Sequence, residues 1–67
     1  MKVKYDKEVD AAYIQMFSKK PDGAIEIAEG VILHTTANNE IVSIEILDAA
    51  KKIPIKTLYK LELTEVA

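Results

Sequence analysis

Apolar and polar residues alternate along most of the chain with a period of two, and polar turn signals cut the alternation into short pieces. Val3 and Tyr5 alternate with Lys2, Lys4 and Asp6, which predicts a half-buried edge strand followed by a polar turn at Lys7-Glu8. From Ala11 to Phe17 the residues Ala12, Ile14 and Met16 share one face and Tyr13 and Phe17 the other, with only Gln15 polar. That predicts a central strand covered on both sides. Ser18-Lys19-Lys20-Pro21-Asp22-Gly23 then reverses the chain, since proline presets its own φ and glycine accepts positive φ.

Ile25 and Ile27 flank Glu26, and the alternation resumes after Glu29-Gly30 with Val31, Leu33 and Thr35 on one face and Ile32, His34 and Thr36 on the other. Gly30 reads as a bulge or bend in this stretch. Ala37-Asn38-Asn39-Glu40 predicts a tight turn, because asparagine tolerates left-handed backbone, and Ile41 to Leu47 returns as the partner of a hairpin spanning Val31 to Leu47. Asp48 reads as the N-cap of a single helical turn over residues 49–53, stopped by Pro54. After Pro54 two periods compete. β-Branched and aromatic content favours a strand from Tyr59 to Leu63, and Pro54 as the first residue of a helix is the alternative. The expected fold is mainly β, bordering on α+β: one domain over residues 1–67, an antiparallel sheet or meander with one short helical turn.

Composition narrows the function classes. A 67-residue chain buries only about 60% of its unfolded surface, so its core is thin, and the absence of cysteine removes both disulfides and thiolate zinc sites as reinforcement. Nine basic and eleven acidic residues, interspersed, give a net charge of -2, which offers phosphate backbones no field of one sign; nucleic acid is a poor candidate partner. The start of the chain lacks the apolar run of a signal peptide and no later stretch is long enough to span a bilayer, so the expectation is a cytoplasmic protein without a membrane partner.

Two blocks resemble a known family. Tyr5-Asp6-Lys7-Glu8-Val9-Asp10-Ala11-Ala12-Tyr13-Ile14 is similar to the opening of the small prokaryotic domain-of-unknown-function family numbered twenty-two eighty-three. Gly30-Val31-Ile32 with Glu40-Ile41-Val42-Ser43-Ile44-Glu45-Ile46-Leu47-Asp48-Ala49 is similar to its second block. The chain departs from that pattern at His34-Thr35-Thr36, where the family tends to be acidic and aromatic, and at Asn38-Asn39, which replaces a glycine-containing turn. The resemblance implies a compact β domain with a short helical element and no known catalytic residues. Relatives beside small toxin-like proteins suggest antitoxin-like binding.

No residue cluster points to catalysis. His34 is the sole histidine and has no companion set for a triad or a zinc site, so it reads as an ordinary hydrogen-bonded or solvent-facing side chain. Asp6, Glu8 and Asp10 lack the further oxygen ligands, the glycine and the terminal glutamate of a calcium loop, which leaves turn capping by Asp6 and Asp10 as the better account. Glu45 lies opposite the Ile44 and Ile46 face and reads as a cross-strand ion-pair member. The lysine pairs 19–20 and 51–52 have no interleaved aromatics and read as solvated turn residues. We therefore expect no catalytic, cofactor or metal residues, and a non-catalytic interaction module that forms a homodimer or binds a small protein partner. Tyr13, Phe17, Ile41 and Leu47 are its candidate interface. The alternative is a small-molecule or enzymatic site assembled across a dimer from His34, Glu45 and Asp48.

Overall fold

The computed structural model describes residues 1–60 and 62–66. Five strands, β1 (Lys2–Asp6), β2 (Ala11–Gln15), β3 (Gly23–Ala28), β4 (Val31–Thr35) and β5 (Ile41–Leu47), precede a helical turn α1 (Ala49–Lys52) and a 3-10 helix (Ile55–Lys60). They form one antiparallel sheet in the order β1-β2-β5-β4-β3. The expected hairpin is present as β4 and β5, with Asn39 in the left-handed region at φ 63°. Thr36 Oγ1 organises the loop between them by accepting from the amides of Asn38 and Glu40.

Strand order was not readable from the alternation. Residues 16–22 do reverse the chain, but they carry it past β5 and β4 to the far edge, so β2 lies beside β5 while β3, β4 and β5 form a meander. Three strand spacings are about 14 Å, well within the reach of seven extended residues at about 3.3 Å each. The result is Greek-key connectivity.

Three expectations are corrected. At Glu29-Gly30, in place of the expected bulge or bend, the chain reverses fully between β3 and β4, and Ala28 pairs with Val31. Gly30 takes φ 72°, and a Cβ there would meet Lys52 Nζ at 2.8 Å. The actual bulge in this pair falls between Glu26 and Ala28. Asp48 does precede α1, but its backbone is left-handed (φ 51°) and its side chain makes no capping bond. The strand expected from Tyr59 to Leu63 is absent among the described residues: residues 55–60 form 3-10 turns, residues 62–66 have no regular structure, and Leu61 lies outside the described set. Proline at the head of this segment, with its own carbonyl accepting from Thr57 N at 2.9 Å, selects the helical alternative.

Burial is shallow throughout. Among the described residues the fully buried apolar ones are Ala12, Val42 and Ala49. The Cα radius of gyration is 12.6 Å, against about 10.9 Å for a compact chain of this length, in keeping with a single sheet under partial cover. Among the described residues no helix is long and apolar enough to cross a membrane.

Candidate functional site

Pairing register converts the alternation into two faces with different chemistry. On one, cross-strand neighbours run Val3–Ile14–Ile44–Leu33–Ile25 and Tyr5–Ala12–Ile46–Val31–Ala28, so every strand adds apolar side chains to the same side. On the other, the rows are Lys4–Tyr13–Glu45–Ile32–Glu26 and Lys2–Gln15–Ser43–His34–Ala24.

The mixed face holds the titratable cluster. His34 Nε2 lies 3.2 Å from Glu45 Oε1, a cross-strand pair whose side chains are both partly exposed. An ionised carboxylate only accepts, which assigns the proton to Nε2. The Tyr13 ring stands 6.5 Å from the His34 ring at 50°. Ser43 is fully buried beneath this group and its Oγ has no hydrogen-bond partner. Neighbouring Ser, His and Glu do not make a nucleophilic relay here: Ser43 Oγ makes no hydrogen bond to His34, and a hydroxyl without exposed surface cannot meet a substrate. Asp48, the third residue of the expected enzymatic set, is not with them. It lines a cleft of about 530 Å³ at the end of the sheet with Glu26, Glu29, Gly30, Leu47, Lys51 and Lys52. Among the described residues no three metal-ligating side chains converge.

The four expected interface residues do not form one patch. Tyr13 lies half-buried at the centre of the mixed face. Leu47 ends β5 beside Gly30, whose carbonyl accepts from the Leu47 amide at 2.8 Å. Ile41 begins β5 about 20 Å away along the strand, beyond a register shift that sets it opposite Thr35. Phe17 lies at that same end, its amide bonded to the Val42 carbonyl, and Lys19 Nζ stands 5.4 Å from its ring centroid. Lys19 also pairs with Glu40 at 3.1 Å. Hydrogen bonding and charge from Lys19 hold the Glu40 carboxyl below the usual carboxylate range, assisted by the Thr36 hydroxyl and opposed by burial.

The residue that sequence reasoning undervalued is Asp10. Its carboxylate accepts from the Tyr5 hydroxyl at 2.7 Å and from Ala50 N at 3.0 Å, and its carbonyl accepts from Ala49 N at 2.9 Å. Asp10 thus caps α1 from the β1–β2 turn, in place of Asp48. Donation to that carboxylate, with burial and the charges of Asp10 and Asp6, pushes the Tyr5 phenol above its ordinary value. Asp6 does cap its own turn, accepting from Glu8 N at 3.0 Å. Spacing gives no signal for the Asp10 bonds, because their donors lie as far as forty residues away.

A family model described as "Protein of unknown function (DUF2283)" matches residues 2–49. No curated protein and no solved structure matches the chain significantly.

Proposed function

The chain belongs to the DUF2283 family, and on that premise we propose that it is a non-catalytic protein-interaction module that self-associates as a homodimer. Phe17 and Ile41, which share one end of the sheet, with Tyr13 and Leu47 apart from them, are the side chains we assign to contact with a small protein partner, the chain itself taking the antitoxin-like part. The observation that carries self-association is the surface left open. The accessible area is 5445 Å², roughly 1,200 Å² more than the approximately 4,250 Å² that scaling gives for a compact monomer of 7.5 kDa. Residues 62–66 account for part of that excess; Ile25, Ile27, Met16 and Phe17, each 39% exposed or more, contribute as well. A standard interface removes about 800 Å² from each partner, so a second copy offers cover on the scale required.

Light scattering at micromolar concentration tests this reading. A mass of two chains is expected, and a fully folded monomer across the accessible range overturns it. The His34–Glu45 pair favours a second reading, a small-molecule or enzymatic site completed across the dimer. That reading requires His34→Ala to abolish ligand binding while leaving mass and melting unchanged.

A further inference from the structure

We propose that the homodimer forms by antiparallel pairing of β3 with β3 of a second copy, about a two-fold axis through Ile25, so that two five-stranded sheets become one. This rests on the self-association reading and adds its place and register.

The sheet has two edges, and they differ in protection. β1 carries Lys2 and Lys4, the charges that commonly block edge-to-edge pairing. The 3-10 segment closes a small cavity of about 160 Å³ against Val3 and Tyr5 through Ile55, Leu58 and Tyr59. β3 has no cation, all six of its residues are exposed, and Ile25 and Ile27 stand 55% and 57% open. Its bulge after Glu26 confines regular pairing to the first half of the strand.

Hydrogen-bond phase shows which groups are free. Leu47 N donates to Gly30 O across directly paired positions, and bonded and non-bonded pairs alternate along an antiparallel ladder. Ile32 and His34 therefore turn their backbone groups toward β5, and Leu33 turns its own toward β3. Met16 N donating to Val42 O gives the matching phase between β2 and β5. Ile25, opposite Leu33, is committed to β4, so Ala24 and Glu26 point their N–H and C=O groups outward.

A two-fold normal to the sheet must pass through a residue position, because residues facing each other share a face. Centred on Glu26, it sets two carboxylates directly opposite. Centred on Ala24, it sets Asp22 against Glu26. Centred on Ile25, it pairs Ala24 with Glu26 of the second copy, and the reverse, each pair exchanging two backbone hydrogen bonds. The two Glu26 side chains then lie on a diagonal, about 7–8 Å apart. Ile25 meets its own copy as a non-hydrogen-bonded pair, the closer of the two kinds, and the apolar row from Val3 to Ile25 continues into its symmetry mate.

The chain contains no cysteine, so single-cysteine variants report the contact without background. Under mild oxidation Ile25→Cys should form an intermolecular disulfide about ten-fold or more faster than Glu26→Cys or Phe17→Cys, since only its Cβ atoms approach bonding distance. Ala24→Pro should give a folded monomer by circular dichroism and light scattering, because it removes an outward N–H that an isolated edge strand does not need. A dimer in which Ile25→Cys crosslinks no faster than Phe17→Cys overturns the β3 pairing and leaves self-association standing. A chain that is monomeric before any substitution overturns both. If Ala24→Pro fails to fold, the disulfide rates decide alone.

Discussion

The corner where β1, β2 and α1 meet is fastened by groups distant in sequence, whereas β3 is held by its ladder to β4. At the corner, Asp10 joins the Tyr5 hydroxyl to the first two amides of α1, and the side chains at the crossing, Ala12 and Ala49, have no exposed surface. Along β3 every residue is exposed. Small side chains at the corner let a helix end approach the sheet closely, although the Asp10 bonds that fasten it are themselves part-buried to exposed. The residues with no exposed surface are thus among the smallest, while the larger side chains Ile25 and Ile27 stand more than half exposed on β3.

Overfilling the corner should break this contrast most strongly. Ala49→Leu puts three further carbons where no surface is free, and we expect a loss of about 3 kcal/mol in urea unfolding. The same enlargement on β3, Ala24→Leu, should stay within about 0.5 kcal/mol at concentrations where the chain is monomeric. Equal losses at the two sites would show that the corner is not the tighter region.

Removing the clasp should cost less. Asp10→Ala deletes the acceptor for Tyr5 and Ala50 and places alanine at φ 53°, for an expected loss of about 2 kcal/mol. The same clasp has a pH signature. Because the Tyr5 pKa is raised in the folded chain, its contribution is fully present below the unfolded value of about 10 and is lost as pH rises through the folded value. The gap in unfolding midpoint between the parent chain and Tyr5→Phe should therefore narrow above pH 10; a gap constant to pH 11 would mean that the bond to Asp10 does not stabilise the fold.

The smallest effect sharpens the distinction between two aspartates. Asp48 also has positive φ but no side-chain capping bond, so Asp48→Gly relieves left-handed strain at some cost in chain entropy and should change stability by about 0.5 kcal/mol or less. A loss as large as that of Asp10→Ala would restore Asp48 as the functional cap.

Much of the fold was legible because a half-buried strand has a local signature. The alternations around Tyr5, Ile14, Leu33 and Ile44 each predicted a strand, and Asn38-Asn39 and Pro54 supplied turn and stop signals that act through their own backbone torsions. The cross-strand role of Glu45 followed from the same period. Errors arose where one residue type serves two geometries. Gly30 suits a bulge or a reversal equally, and the stretch after Pro54 fits two periods. The candidate interface was drawn from residues that share a parity within their own strands, and a register shift before Ile41 together with the length of β5 spreads them over the sheet.

By itself, then, the sequence determined the β-rich class, the positions of most strands, the 38–39 hairpin and the single helical turn, since each depends on torsional preference and side-chain alternation within a few residues. Only the tertiary structure decided the order β1-β2-β5-β4-β3, the capping of α1 by Asp10 instead of Asp48, and the contrast between a guarded β1 edge and an open β3 edge. These depend on which backbone groups meet across the sheet, and that choice is made by packing and hydrogen-bond satisfaction over separations that no local period encodes.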